Sequence, residues 1–374
     1  MTSHGHDPVL REPRLLTLVV PCFNEAPTLR SCIDRILALR SQQLSLEVLI
    51  VDDCSRDNSL QIAQELEHEH PEIKVLRHKV NRGKGAALRT GFEHATGDFV
   101  GIQDADLEYE PLDYRLLLEP LLLGKADVVF GSRYLRPQSR KVLYFWHSWM
   151  NKALTRVSNM MTNLDISDME TCYKLFRREI IQSIELKEDR FGFEPEVVAK
   201  VAQLRCRVWE CAISYHPRSY EEGKKIGWKD GARALYCILH YSAHTAPLPM
   251  QLLLYLFIGS VSAVCNIVLF LFCVQLGLEL AIAVVAAFVC AAVINYFLCI
   301  LILFKHKARW STGGEIVSYV ATLCIMGAFD AGITLALAAV GWSAIASKSL
   351  ATVFGFIGNF LLRKYLVFPE KSIA

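Results

Sequence analysis

Asp104-Ala105-Asp106 places two carboxylates two residues apart, at the end of the largely apolar run 98–106. Two hard oxygen donors at that spacing can face one divalent cation. Their type suits Mg²⁺ or Mn²⁺, ions that usually also take substrate phosphates. Glu108, two residues further on, offers a third donor. Alone, Asp-x-Asp also describes a solvated acidic turn. Here other reactive types stand in corresponding places: Asn24 and Glu25 after 15–21, Asp52 and Asp53 at the end of 46–53, and Arg133 at the end of 126–133. Asn81-Arg82-Gly83-Lys84-Gly85 opens a helical stretch with two cations and two glycines. It could hold a diphosphate on backbone N–H groups, or be only a helix entry. No Gly-x-x-x-x-Gly-Lys-Ser/Thr occurs, which excludes a P-loop.

These residues need a scaffold that gathers strand ends. LLTLVVP at 15–21 is an unbroken apolar run, and 46–53, 73–78, 98–106 and 126–133 also read as strands. Residues 27–40, 57–69 and 83–95 read as helices. Strands alternating with helices make a parallel α/β sheet. Ligands of such sheets bind beyond the carboxyl ends of the strands. Asn24, Glu25, Asp52, Asp53, Asp104, Asp106 and Arg133 all fall there.

The half that carries this chemistry is also the charged half. Residues 1–244 hold 67 of the 78 Asp, Glu, Lys and Arg, and residues 245–374 hold only 11. So sparse a charge over 130 residues is that of a membrane domain, and it excludes a purely soluble chain. Spans are expected at about 250–276, 278–304, 315–341 and 345–368, each above the roughly 20 apolar residues a bilayer crossing needs. The basic loop 305–309 (KHKAR), with Arg363, Lys364 and Lys371 at the other end of the second hairpin, predicts that both termini and the soluble domain are cytoplasmic. The net charge of +2 makes no case for a nucleic-acid partner. Twelve cysteines without a Cys-x-x-Cys pair read as small reduced thiols, which suits a cytosolic face. Residues 1–14 lack an apolar h-region and read as a flexible N-terminus rather than a signal peptide.

The hairpins look like a repeat. Asn295-Tyr296-Phe297 is followed by Phe304, and Asn359-Phe360 by Phe368, each phenylalanine nine residues after its asparagine. An asparagine in an apolar helix calls for an interhelical hydrogen bond. Asp330 is the one acid deep in a span. Residues 143–163 mix Trp, Met and Leu with Lys and Arg, and residues 226–244 mix Trp and Leu with Lys and Arg. Both read as interfacial amphipathic helices, with core helices of the soluble domain as the plain alternative.

VVPCFNE (19–25), VDDCSRDNS (51–59), NRGKGAALRTG (81–91), DADLEYEP (104–111) and GSRY (131–134), in this order, resemble the motif set of glycosyltransferase family 2, with its GT-A fold. DMETCYKLFR (168–177), FGFEPEVV (191–198) and the basic run after His216 extend the resemblance to the polyprenyl-phosphate hexose synthases, the dolichol-phosphate mannose synthase-like group. The four-span tail is similar to the GtrA-like membrane domain. The implied architecture is a GT-A, Rossmann-like nucleotide-sugar domain over 15–225, interfacial helices at 143–163 and 226–244, and a four-helix transmembrane domain over 245–374. By the resemblance, Pro21, Phe23, Glu25, Val51 and Asp53 line the nucleotide pocket. Asp104, Ala105 and Asp106 hold the metal and diphosphate, and Glu108, where the family often has Gln, completes the metal shell. Arg133 clamps a phosphate of donor or acceptor. Lys84, Arg218, Lys224 and Lys225 hold the donor, and His147 meets the acceptor phosphate or is an interfacial aromatic. Thr171-Cys172-Tyr173 stands where the family usually has Ser-Gly-Phe.

The implied reaction is inverting transfer of a hexose, mannose ahead of glucose, from GDP-mannose or UDP-glucose to a polyprenyl or dolichyl phosphate. The acceptor phosphate has a second pKa of about 6 and is largely dianionic at neutral pH, so no essential general base is expected. Asp106, Arg133 and Asp168 are the catalytic candidates. Asp168 is the base if one acts, or else an orienting group. Two other readings stand beside this one. A processive polysaccharide synthase would need Gln-x-x-Arg-Trp, but His306 holds the Gln place before Arg309-Trp310. A lipid-linked sugar flippase would use the front domain for regulation. The oligomeric state is open, a homo-oligomer included.

Overall fold

Strand β1 (Arg14–Cys22) is fully buried from residue 16 to residue 20. Burial on both faces is the mark of an inner parallel strand. In the computed structural model, which describes residues 13–135, 142, 144–217, 228–304 and 312–368, β1 lies between β2 (Leu44–Asp52) and β4 (Phe99–Ile102), parallel to both. β3 (Ile73–Arg77) extends the sheet beside β2. Helices α1 (Leu29–Leu37), α2 (Ser59–Glu69) and α3 (Lys84–His94) follow β1, β2 and β3 in the expected alternation. Next come α4 (Tyr114–Leu122), β5 (Val128–Ser132), α5 (Phe145–Thr162), β6 (Lys174–Arg177), α6 (Arg178–Ser183), α7 (Phe193–Gln203), β7 (Val208–Ala212) and α8 (Trp228–Ser242). The strand order is β3-β2-β1-β4-β6-β5-β7.

The sheet is therefore mixed, not wholly parallel as the alternation predicts. β6 runs antiparallel between β4 and β5. It has four residues, too few to show a period, and it begins with a lysine, Lys174, that is fully buried. The parallel set still brings the carboxyl ends of β1, β2, β4 and β5 to one edge. Three non-glycine residues just past those ends adopt left-handed backbone: Asn24 (φ 57°), Cys54 (φ 63°) and Leu107 (φ 62°). Each such residue costs on the order of 1–3 kcal/mol, and strain of this kind gathers at functional loops.

Helix α3 sets the floor of that edge. Gly83, at φ 101°, turns the chain into the helix, and the first helical turn lies on the backbone of Glu188 and Asp189. A methyl group at Gly85 would overlap the Glu188 carbonyl, a backbone atom that cannot swing away. Gly85→Ala is expected to lower stability by about 1–3 kcal/mol, the usual range for overpacking, read as a lower midpoint in urea unfolding.

The chain divides into two units, Met1–Ser242 and Ala243–Ala374. In the first, α8 buries Ala234, Cys237, Ile238 and Tyr241, a helical stripe that packs on α7. This favours the plain alternative for that stretch: α8 is built into the first unit. Helix α5 is split along its length. Leu154, Thr155, Ser158 and Met161 are buried, whereas Phe145, Trp146, Trp149 and Met150 stand 68, 73, 53 and 47% exposed.

The second unit has four helices long and apolar enough to cross a membrane: α9 (Leu248–Gln275), α10 (Leu280–Leu298), α11 (Thr312–Ala339) and α12 (Ala344–Leu362). The chain is a membrane protein. The repeat is stricter than the Asn–Phe spacing indicates, because every helix boundary of the first hairpin recurs 64 residues later. Both hairpins end in a five-residue π-helical turn, Cys299–Leu303 and Arg363–Val367. Arg363 is only 3% exposed. It is thus an interior cation rather than the flanking charge expected from the sequence. The loop 305–309 and Lys371 lie outside the described residues.

Candidate active site

The tips of β1 and β2 are stitched together by short polar side chains. Asn24 N donates to Ser55 Oγ (3.0 Å), and Arg56 N donates back to Asn24 Oδ1 (2.8 Å). Glu25 N donates to Ser59 Oγ (2.8 Å) and Ala26 N to Asp57 Oδ2 (3.2 Å). Partial burial works against the Asp57 charge, but hydrogen bonds from Ser59 and the Ala26 amide hold its carboxyl below the ordinary value. Pro21 and Glu25 are half-buried here and Phe23 is 40% exposed.

Asp53 is placed differently from the nucleotide ligand the resemblance implies. It is 3% exposed, and its two oxygens take the Arg82 and Gly83 amides (2.9 and 2.6 Å) and face His78 Nδ1 at 2.6 Å. His78 in turn reaches Thr90 Oγ1 at 3.0 Å. Asp53 anchors the entry of α3 to the tip of β2. Val51 is fully buried and Ala105 is 3% exposed, so these two shape the floor by their backbone.

At the tip of β4, Lys84 comes over from the first turn of α3. Its ammonium stands 2.8 Å from Asp104 Oδ1, 2.8 Å from Cys172 Sγ and 3.7 Å from Glu194 Oε1. Burial opposes that charge; Asp104 first, then Cys172 and Glu194, override it and hold the lysine well above its usual pKa. Asp106 Oδ1 accepts the Glu108 amide (3.1 Å), and Glu108 Oε2 accepts Tyr215 O–H (2.9 Å). Among the described residues no three His, Cys, Asp or Glu side chains stand close enough to close on one ion. Glu108 faces Tyr215 in this arrangement. Asp104 and Asp106 still fit a hard divalent cation. They are adjacent oxygen donors at one strand tip, and Asp104 already carries a cationic partner in Lys84. Mg²⁺ and Mn²⁺ commonly take few carboxylates and complete their shells with phosphate and water.

At the tip of β5, Arg133 and Asp168 form a buried fork. Arg133 Nε and Nη2 donate to Asp168 at 2.7 and 2.8 Å, and the Arg133 amide adds a third bond at 3.1 Å. Asn151 Nδ2 on α5 reaches Asp168 Oδ1 at 3.1 Å, and the Glu210 carboxylate takes the amides of Ser167 and Asp168. Asp168 is fully buried. Both of its oxygens are engaged by Arg133, and Oδ1 also by Asn151. The Arg133 guanidinium also lies over the Tyr215 ring at 5.1 Å. His147 lies one helical turn before Asn151, on the same face of α5. Arg218, Lys224 and Lys225 lie outside the described residues.

Residue-type reasoning did not find Glu170, Lys174 or Tyr215. Glu170 Oε1 is buried without a hydrogen-bond partner among the described residues. Burial, with Glu194 next, pushes its pKa up to about 8, against the pull of Lys174 and Arg133. A raised folded-state pKa disfavours the carboxylate. Stability should therefore fall as pH rises from the unfolded value of about 4.5 and level off above about 8. Glu170→Gln cannot ionise. Its thermal midpoint should exceed the parent's by a margin that widens from pH 5 to pH 8, several degrees at the top, since 1 kcal/mol is about 2–4 °C for a domain this size. A margin that stays constant with pH would contradict the assignment.

Residues 17–185 match the family model Glycosyl transferase family 2, and residues 254–368 match the model GtrA/DPMS, transmembrane domain. The chain is 29% identical over 215 residues to a dolichol-phosphate mannosyltransferase of Pyrococcus furiosus, covering 57% of this chain and 59% of that protein. It is 29% identical over 227 residues to an undecaprenyl-phosphate mannosyltransferase of Micrococcus luteus, covering 57% and 88%. It is 27% identical over 211 residues to a dodecaprenyl-phosphate galacturonate synthase of Rhizobium johnstonii, covering 56% and 61%. The match thus spans less than two thirds of the Pyrococcus and Rhizobium relatives.

Proposed function

We propose that this chain, a family 2 glycosyl transferase domain joined to a GtrA/DPMS transmembrane domain, transfers a hexose from a nucleoside diphosphate sugar to a polyprenyl phosphate on the cytoplasmic leaflet. One observation carries the reading. A single sheet edge holds the Asp104–Lys84 pair, Asp106 and an Arg133 fork fixed by a buried carboxylate. That is an arrangement for anions of both donor and acceptor. The relatives' names share the prenyl phosphate and differ in the sugar, mannose twice and galacturonate once. GDP-mannose is therefore the first donor to test, then UDP-glucose.

Asp104 and Asp106 would hold the divalent cation, Mg²⁺ or Mn²⁺, which when bound supplies Lewis-acid neutralisation of the leaving diphosphate. Lys84 adds a fixed cation beside the same carboxylate. Arg133, its guanidinium plane set by Asp168, binds and aims a phosphate. An oxygen of the acceptor phosphate forms the new bond to the anomeric carbon while the bond from that carbon to the diphosphate oxygen breaks. Opposite-face attack inverts the centre. The acceptor arrives largely deprotonated, so no side chain need take a proton. Helix α5 links this chemistry to the bilayer: its exposed Phe145, Trp146, Trp149 and Met150 suit the headgroup boundary, and its Asn151 holds Asp168.

The full chain in detergent, given radiolabelled GDP-mannose and polyprenyl phosphate, should form labelled lipid and lose that activity on chelation. GDP at 100 times its dissociation constant should add about 2.7 kcal/mol of apparent stability. Transfer undiminished by chelator, or none from GDP-mannose, UDP-glucose or UDP-galacturonate, would overturn the reading.

A further inference from the structure

The second unit holds a buried cation with no carboxylate partner among the described residues. Arg363 is 3% exposed, in the last turn of the span that ends at Val367. Its Nε donates to Asn359 Oδ1 (3.0 Å), and its Nη1 donates to Asn295 Oδ1 (2.5 Å) and Cys299 Sγ (3.6 Å). Its guanidinium lies over Tyr319 at 4.5 Å and Tyr255 at 5.5 Å. Every one of these partners is neutral, and among the described residues no carboxylate pairs with it. Asp330 packs near Gly355, two helical turns away, or about 12 Å along the axis. The next residue, Lys364, reaches the neutral Gln251 Oε1 at 2.7 Å and lies over the Tyr365 ring at 5.7 Å. A charge taken from water needs an opposite charge to offset its desolvation, and two adjacent cations need it more.

Packing alone does not call for the arginine. The equivalent place in the first repeat, 64 residues earlier, is Cys299. That hairpin makes the same π-helical turn, closed by Phe304 N to Cys299 O at 2.7 Å, against Phe368 N to Arg363 O at 2.8 Å. The charge is thus an addition to one half of a repeated frame. It lies at the end of the bundle where α9 and α11 begin and α10 and α12 finish, since Gln251, Tyr255 and Tyr319 come from the early turns of the first pair. The apolar spans begin or end there, at Leu248, Leu303, Ile316 and Val367, and π-helical turns are frequent at functional sites.

We propose that this end of the four-helix unit binds the phosphate group of a lipid, with Arg363 as the principal ligand and Lys364 beside it. The exchange is conservative. A phosphate oxygen takes the Nη1 donor from Asn295, and Asn295 keeps Ser262 Oγ (3.0 Å) and Tyr319 O–H (3.2 Å) as partners. This site does not depend on the sugar transfer proposed for the first unit. The lipid phosphate comes either from a prenyl phosphate or from a bulk anionic phospholipid.

The test uses the full chain in nanodiscs with a diazirine-bearing polyprenyl phosphate, its phosphate-free polyprenol counterpart, and a diazirine-bearing phosphatidylglycerol. Labelled peptides are mapped by mass spectrometry. The phosphate probes should label the early turns of α9 and α11 around Tyr255 and Tyr319. Arg363→Gln should cut that labelling about tenfold or more, as loss of a charge-assisted contact predicts, and leave labelling of the first unit unchanged. Competition by prenyl phosphate alone makes the ligand the prenyl lipid, and competition by phosphatidylglycerol alone makes it a bulk lipid; either supports the site. If Arg363→Gln does not fold, the wild-type comparison decides. Equal labelling by polyprenol and polyprenyl phosphate, or labelling untouched in a folded Arg363→Gln protein, overturns the proposal. A protein inactive in sugar transfer that still shows phosphate-dependent labelling here leaves this site standing without the reaction.

Discussion

Asp104→Asn and Asp106→Asn are each expected to lower kcat/KM for sugar transfer by about 10²–10³-fold, the scale of one lost electrostatic contact to a transition state. The two changes should not look alike. Asp104 is the partner of Lys84 at 2.8 Å, so its replacement leaves the ammonium facing Cys172 and Glu194 and shifts the lysine as well. Donor affinity should weaken along with turnover. Asp106 accepts the Glu108 amide and is not among the partners of Lys84, so its loss should leave Lys84 in place. Its effect should fall mainly on kcat and on the metal concentration needed for half activity. Steady-state kinetics over a Mn²⁺ titration separates the two. Activity within tenfold of the parent in both variants would remove Asp104-Ala105-Asp106 from the centre of the account.

Asp168→Ala is expected to destabilise the first unit by about 3–5 kcal/mol, the range for breaking a buried pair from one side. The side chain is fully buried and receives two bonds from the Arg133 guanidinium, one from its amide and one from Asn151. Removing it leaves a guanidinium only 13% exposed without its counter-charge. The double variant Arg133→Met/Asp168→Leu should recover much of that loss, because apolar replacement of a buried pair is often neutral. It should still be inactive, since the phosphate clamp is gone. Urea unfolding measures the first effect and sugar transfer the second. The milder Asp168→Asn separates orientation from proton transfer. An orienting role predicts reduced turnover with an unchanged pH profile. A lost acidic limb in that profile would restore Asp168 as a base.

Several features were legible in the residues because each rests on local chemistry. A continuous apolar run with Asn, Asp, Glu or Arg at or just past its end announces a buried strand with a reactive tip, and β1, β2 and β5 do end at Cys22, Asp52 and Ser132. The Asn295 and Asn359 signals pointed to interhelical hydrogen bonds; Asn295 makes them, with Ser262, Tyr319 and Arg363, whereas Asn359 accepts from Arg363 four residues on in its own helix. Other features had no local trace. β6 is four residues long and antiparallel, decided by its neighbours β4 and β5. Asp53 has the type and place of a ligand, yet its oxygens are taken by Arg82, Gly83 and His78, all at least 25 residues away in sequence. Glu170 carries no signal, because an unpartnered buried oxygen is a property of its surroundings.

The sequence by itself determined the alternation of strands and helices, the acidic strand ends and the four apolar spans, since each follows from how a short stretch buries its own side chains. Only the tertiary structure decided which charge meets which. Lys84 reaches Asp104 across 20 residues and Cys172 across 88, Arg133 reaches Asp168 across 35, and Arg363 reaches Asn295 across 68. Such pairings depend on distances of a few ångströms between side chains brought together by packing, and no local pattern encodes them.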